Sequence, residues 1–211
     1  MLRKKNGVIK KFELISDYLR TDLWWKTVAG MLCQAKRIEI EEIETIKHLL
    51  PLAKDGNFDE VRSLFENGAS VNYSDIPSFL WAYFKGHTDI CKWLLSKGGN
   101  INHDGFAEMT LLMAATVSGD VEFASFLIAS GAEVNLPLPA GGETALHKAA
   151  VRNQVETMSL LIRSRGDANH PTKVGSKTEM DFFGQVWGET PLHIAAVASN
   201  QEMIKLLLCG G

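Results

Sequence analysis

Residues 144–169 read "TALHKAAVRNQVETMSLLIRSRGDAN", and the same pattern occurs on both sides of this stretch. Upstream, residues 110–135 read "TLLMAATVSGDVEFASFLIASGAEVN"; downstream, residues 190–211 read "TPLHIAAVASNQEMIKLLLCGG". Small residues follow each opening threonine at the same distance, and an apolar triplet lies later in each copy at matching positions. Such self-similarity predicts a repeat architecture, in which each unit buries its apolar face against its neighbours.

Two more divergent copies of the pattern come earlier in the chain. The copy that begins at Pro77 keeps Gly86 and "GGNIN", and the copy that begins at Lys47 keeps Gly56 and "GASVN". We therefore predict five units, at about residues 47–76, 77–109, 110–143, 144–189 and 190–211.

The fourth and fifth copies carry a motif that identifies a family. The segment "TPLHIAA" at 190–196 matches the T-P-L-H-x-A signature of ankyrin repeats, and "TALHKAA" at 144–150 departs from it only at Ala145. The chain thus resembles the ankyrin-repeat family. The resemblance implies an all-α solenoid of helix-turn-helix units with β-turn fingers. It also implies structural hydrogen bonding for His147 and His193.

The residue types also suit this fold without the family name. Alanines in the first helix of each unit allow close approach, and leucines in the second helix recur at helical spacing. Glycines 56, 86 and 119 are placed to end first helices in a left-handed conformation. Asn153 and Ser199 occupy this position in the last two units, where asparagine is tolerated better than serine.

Residues 1–46 do not follow the repeat. Their apolar spacing predicts two or three helices, which we expect to cap the first unit because the end of such an array needs a polar outer face. A binding role for the Trp24-Trp25 pair is the alternative.

Composition argues against several classes of protein. A formal charge of −3 and a pI near 6.1 give no basis for nucleic-acid binding. No apolar run reaches the length of about 18 residues that a membrane span requires. The three widely spaced cysteines suit a reducing compartment. We expect a cytoplasmic protein, or one delivered into a host cytosol if it is a bacterial effector.

Motifs that carry chemistry are missing from the sequence. There is no phosphate-binding glycine loop, no nucleophile elbow and no zinc-ligand spacing among the histidines and cysteines. We therefore expect no enzymatic activity, no cofactor and no bound metal.

Function in this family comes from a binding surface, which the resemblance places on the concave face of the stack. The eighth and ninth positions of the units give the candidate contacts Phe84, Lys85, Val117, Ser118, Val151 and Arg152. Packing between neighbouring units is the alternative role for the apolar members of this set.

The junction between the last two units is much longer than the others. Residues 170–187 read "HPTKVGSKTEMDFFGQVW" and bring Phe182, Phe183 and Trp187 into what is ordinarily a short turn. Loops longer than about 12 to 15 residues are usually functional or disordered, and aromatic side chains dominate interface hot spots. We predict that this insertion binds the partner; the alternative is that it folds back over adjacent units.

The final "LLLCGG" ends the second helix of the last unit. We interpret the sequence as a fragment of a longer protein, or as a repeat whose last helix meets a partner, with self-association as a further alternative. The function expected is protein-protein interaction. The alternative function is recruitment of substrates or host targets by a larger multidomain enzyme or a bacterial effector.

Overall fold

The computed structural model describes residues 49, 51–67, 78–103, 109–139, 141–173 and 188–210. Over these residues the chain is helical and contains no strand, which confirms the all-α prediction. The predicted cap at 1–46, with Trp24 and Trp25, lies outside the described residues. The helices are α1 (Phe58–Glu66), α2 (Ser78–Lys85), α3 (Thr88–Ser96), α4 (Leu111–Ser118), α5 (Val121–Ala129), α6 (Ala145–Arg152), α7 (Val155–Arg163), α8 (Pro191–Val197) and α9 (Gln201–Gly210).

The chain divides into two compact units, Met1–Asn100 and Ile101–Gly211. In the first unit, residues 51–55 are helical and precede α1, and α2 packs against α3. Ala53, Val61 and Ile90 are fully buried in this unit. The rings of Phe58 and Phe65 on α1 lie edge-on to Trp93 of α3, with centroids 5.8 and 5.3 Å away. The two repeat copies predicted in this unit therefore contact each other through their second helices, α1 and α3.

In the described part of the second unit, three helical pairs lie in a row. Helix α6 contacts α4 on one side and α8 on the other, and α7 contacts α5 and α9 in the same way. The copies that begin at Thr110, Thr144 and Thr190 thus fold alike and stack, as the sequence predicts. The inner pair, α6–α7, packs its apolar faces against the pair on either side. One unit alone could not bury these faces.

The core of the second unit uses the same positions in each pair. Leu127, Leu161 and Leu207 are at most 3% exposed, and Ala115, Ala149 and Ala195 are completely buried. Burial of each leucine side chain stabilises the fold by about 1.5–3 kcal/mol. The alanines allow the first helices to lie side by side.

The left-handed residues lie where the sequence predicts them. Gly56, Gly86 and Gly119 have φ angles of 80°, 93° and 72°, and Asn153 and Ser199 have φ angles of 56° and 53°. Each begins the turn into the second helix of its pair, so the two non-glycine residues carry a local backbone cost of roughly 1 kcal/mol.

The two signature histidines close the first turn of their helices. The backbone N–H of Thr144 donates to Nδ1 of His147 over 3.1 Å, and Thr190 makes the same bond to His193 over 3.1 Å. In addition, Nε2 of His147 lies 3.0 Å from the carbonyl oxygen of Glu189, in the turn before α8. His147 therefore links one pair to the next, and the structural role implied by the resemblance is confirmed.

Candidate protein-binding surface

The predicted contact residues of the second unit lie at the ends of α4 and α6. Val117 and Ser118 form the last turn of α4, and Val151 and Arg152 form the last turn of α6. Both valines and Ser118 are half-buried, whereas Arg152 is exposed. Because α4 and α6 are in contact, the structure brings these four residues onto adjacent helix ends.

The valine positions also take part in packing between pairs. Val197, the equivalent residue of the last pair, is 71% exposed, whereas Val117 and Val151 are half-buried. In addition, Nε2 of Gln154 donates to the carbonyl oxygen of Val117 over 3.2 Å. Arg152 is thus the main accessible polar side chain at the adjacent ends of α4 and α6.

Phe84 and Lys85 belong to the first unit. Phe84 is half-buried, with its ring centroid 5.7 Å from that of Tyr83, and Lys85 is exposed at the end of α2. The structure gives these two residues the same place on their helix that the other candidates have on α4 and α6.

The predicted aromatic contacts Phe182, Phe183 and Trp187 lie outside the described residues, but the stem of their insertion is described. The backbone N–H of Thr172 donates to the carbonyl oxygen of Glu189, and the N–H of Glu189 donates to Oγ1 of Thr172, both over 2.9 Å. Thr172 is 3% exposed. Thr172, near the start of the insertion predicted at 170–187, is therefore joined to Glu189, which follows its end.

The stem is attached to the neighbouring finger. The backbone N–H of Lys173 donates to the carbonyl oxygen of Gly141 over 2.9 Å, and Nζ of Lys173 donates to the carbonyl oxygen of Pro139. Gly141 lies in the turn that leads into α6. Lys173 is consequently attached to the finger of the preceding pair.

A buried ion pair lies at the base of the same finger. Nζ of Lys148 is 2.6 Å from Oε2 of Glu143, and both residues are 8% exposed. The repeat pattern does not predict this pair. The neighbouring units have the apolar residues Ala114 and Ile194 at the position of Lys148. Only the presence of a lysine at this otherwise apolar position could have indicated the ion pair from the sequence.

Burial lowers the pKa of His147 below its ordinary value of 6.5, against the opposing effects of the Glu189 carbonyl and the Glu143 carboxylate. The hydrogen bonds agree with a neutral ring, because Nδ1 accepts from the Thr144 N–H and Nε2 faces a carbonyl oxygen. His147 therefore acts as a fixed structural group.

Two features of the described residues bear on catalysis. Among them, no group of three or more His, Cys, Asp or Glu side chains is arranged to hold a metal. Burial raises the pKa of the Cys91 thiol to about 12, and its Sγ donates to the carbonyl oxygen of Phe79 over 3.3 Å. A thiol in this state is a poor nucleophile. None of the helices in the described ranges combines the length and the apolar character that a membrane span requires.

Comparison with known families agrees with the helical pairs. A family model for ankyrin repeats, in three copies, matches residues 49–137, 79–173 and 111–211. The chain belongs to the ankyrin-repeat family. Membership indicates a protein-protein interaction module, which agrees with the predicted class of function.

A similarity to one curated protein adds a narrower comparison. The chain is 33% identical over 108 residues to a probable E3 ubiquitin-protein ligase, XBOS33, of Oryza sativa subsp. japonica. The matched region covers 49% of this chain and 21% of the rice protein. The chain therefore spans about a fifth of the length of this relative.

Proposed function

We propose that the chain is a non-enzymatic module that binds a protein partner through the 170–187 insertion and the adjacent ends of the first helices. The observation that carries the proposal is the stem, in which Thr172 and Glu189 are joined by two hydrogen bonds of 2.9 Å beside Gly141. A closed stem reduces the conformational entropy that the insertion loses when it binds.

The chemistry of the insertion supports a protein partner. Phe182, Phe183 and Trp187 fall within six residues of one another, and aromatic side chains in one patch are typical of interface hot spots. Exposed Arg152 at the end of α6 adds a second residue type that is enriched at hot spots. The proposed surface therefore includes the aromatic residues of the insertion together with Arg152, as in the candidate set from the sequence.

Affinity capture with matched baits tests this proposal. The wild-type chain and a Phe182→Ala, Phe183→Ala, Trp187→Ala variant are used as baits in the same lysate, and the captured proteins are quantified by mass spectrometry. We expect the variant to lose one or more specific partners by at least about tenfold, since each hot-spot truncation costs about 2 kcal/mol or more.

A third bait serves as a control for unrelated surface changes. Val121→Ala alters a residue of α5 that is 36% exposed and belongs to no predicted contact set, so it should capture the partners as the wild type does. All baits should share one far-UV circular dichroism spectrum. Equal capture by the wild type and the aromatic variant would remove the insertion from the binding surface.

A second candidate function is recruitment of targets for a larger multidomain enzyme or a bacterial effector. The similarity to a probable E3 ubiquitin-protein ligase favours it. The complete open reading frame distinguishes the two proposals. A ubiquitin-transfer domain in frame with this chain, together with ubiquitination of a captured partner by the full-length protein, supports the recruitment function.

The remaining proposals concern the setting in which the module acts. We place it in the cytoplasm, or in a host cytosol for an effector, without nucleic acid as a ligand. Self-association through the last repeat is tested by light scattering across a concentration series, in which a constant monomer mass argues against it.

A further inference from the structure

Two departures from the repeat pattern occur at adjacent fingers of the second unit. One is the ion pair between Glu143 and Lys148, since the neighbouring copies have Ala114 and Ile194 at the position of Lys148. The other is the insertion at 170–187, which lies in the finger that follows. The contacts between the two fingers show how these departures are connected.

The ion pair is a costly way to fill this part of the core. Nζ of Lys148 is 2.6 Å from Oε2 of Glu143, and both residues are 8% exposed. In the described part of the chain, Oε1 of the same carboxylate is buried and has no hydrogen-bond partner. The attraction between two buried charges offsets their desolvation only when the remaining polar atoms are also bonded. A gain in global stability therefore does not explain the pair, whereas a fixed geometry does.

Glu143 is held through its backbone as well as its side chain. Its carbonyl oxygen accepts from the N–H of Leu138 over 2.9 Å, and the carbonyl oxygen of Leu138 accepts from the N–H of Gly142 over 2.9 Å. These two bonds close the finger that precedes α6, which we call the α6 finger (residues 138, 139 and 141–143). Because Lys148 belongs to α6, the ion pair attaches the closed finger to this helix.

The other end of the α6 finger holds Lys173, near the start of the insertion. The carbonyl oxygen of Gly141 accepts from the backbone N–H of Lys173 over 2.9 Å, and the carbonyl oxygen of Pro139 accepts from its Nζ. The approach is close, since a Cβ added to Gly142 would lie 3.0 Å from the backbone nitrogen of Lys173. A displacement of the α6 finger would therefore move Lys173.

We propose that Glu143 and Lys148 are positioning residues of the binding site. Their ion pair holds the α6 finger on α6, and the finger holds Lys173, so that the insertion begins at a fixed place beside α6. The pair itself makes no contact with the partner. This inference rests on the proposed function of the insertion, because a fixed start reduces the conformational entropy that the insertion loses on binding.

A double substitution removes the pair and keeps the apolar core. Glu143→Met and Lys148→Ile introduce the residue types that Met109 and Ile194 supply at the same positions of the neighbouring copies. Tm should equal that of the wild type or exceed it, because apolar residues can replace a buried ion pair without loss of stability. Hydrogen exchange at the N–H of Lys173 should nevertheless become faster by about tenfold, and capture of the partner should weaken.

Two further variants show whether the charges are responsible. Lys148→Arg keeps a cation beside Glu143 and should retain both the protection of Lys173 and the capture of the partner. Arg62→Gln with Glu66→Gln removes an ion pair of 2.9 Å in the first unit, whose side chains are 60% and 64% exposed, and should change neither quantity.

Three exchange results would overturn the inference. The first is unchanged exchange at Lys173 in the double variant. The second is a loss of protection that extends equally to Leu111–Ser118, because the pair would then stabilise the whole unit. The third is an equal loss of protection in Lys148→Arg, because the charge would then not be what holds the finger.

Capture separates this inference from the proposed function. Faster exchange at Lys173 without weaker capture would overturn the positioning role, while loss of the partner by the aromatic variant would leave the proposed function intact. Equal capture by the wild type and the aromatic variant would overturn the proposed function and, with it, this inference.

Discussion

His147 shows how one side chain joins two repeats. Its Nδ1 accepts from the Thr144 N–H, and its Nε2 lies 3.0 Å from the Glu189 carbonyl oxygen, so the ring spans from the start of α6 to the turn before α8. Both contacts require the neutral ring with its proton on Nε2. Protonation of Nδ1 would direct two N–H groups at each other in a buried site.

The lowered pKa of His147 predicts a loss of stability in acid. The unfolded chain takes up a proton near pH 6.5, whereas the folded chain does so only at lower pH. The contribution of this group is therefore complete above pH 6.5 and declines as the pH falls, by at most about 1.4 kcal/mol per pH unit. Urea unfolding at pH 7.5 and 5.5 measures the difference.

Two variants isolate this effect from the other titrating groups. His147→Gln should cost about 1–3 kcal/mol at pH 7.5 and show a weaker dependence on pH than the wild type. His170→Gln removes the neighbouring ring, whose centroid is 6.2 Å away, and should retain most of the dependence. Equal pH dependence in the wild type and His147→Gln would contradict the neutral-ring assignment.

Ser199 is predicted to destabilise the fold through its backbone. Its φ of 53° is costly for a residue with a Cβ, so Ser199→Gly should raise the free energy of unfolding by about 0.5–1 kcal/mol. Ala198, the preceding residue, has a φ of −71°, and Ala198→Gly should lower that free energy by a similar amount. Thermal melts of the two variants should move in opposite directions; a lower Tm for Ser199→Gly would be inconsistent with this account.

At the level of elements, the proposed function depends on the stem. Thr172→Val preserves the shape of the side chain but removes the acceptor for the Glu189 N–H, which should cost about 1–3 kcal/mol locally. We expect faster hydrogen exchange at 188–190 and weaker capture of the partner, with the far-UV spectrum unchanged.

Thr157→Val is a suitable comparison, because Thr157 is also buried but lies in α7, away from the stem. Retained protection at 188–190 in Thr172→Val would show that this hydrogen bond does not hold the stem.

The helices could be predicted from the sequence because the repeat supplies several independent observations of one unit. Thr110, Thr144 and Thr190 fix the register, and the left-handed residues Gly119, Asn153 and Ser199 follow from it. Features particular to one unit could not be predicted in this way. The adjacent units have Ala114 and Ile194 at the position of Lys148. The buried ion pair between Lys148 and Glu143 therefore depends on a contact that the repeat pattern does not indicate.

The candidate surface was less predictable than the helices for a related reason. The eighth position of a unit is adjacent both to the next pair and to solvent, and the sequence does not show how far the next pair covers it. Val117 and Val151 are half-buried, whereas Val197 is 71% exposed. The following helical pair therefore determines how far this position is covered. The insertion could be recognised from its length alone, but its stem depends on hydrogen bonds between residues 17 positions apart.

For the molecule as a whole, the second unit behaves in this account as a row of coupled pairs. Its stability is the sum of the pairs and of the contacts between nearest neighbours, with no single central core. Removal of one pair should then affect the adjacent pair strongly and the next pair weakly.

Hydrogen exchange of a chain that ends at Glu189 tests this central claim directly. Without α8–α9, exchange should become faster throughout Ala145–Arg152 and Val155–Arg163, while Leu111–Ser118 and Val121–Ala129 keep nearly the protection of the complete chain. An equal loss of protection in all four helices, or no loss in any of them, would contradict nearest-neighbour stacking.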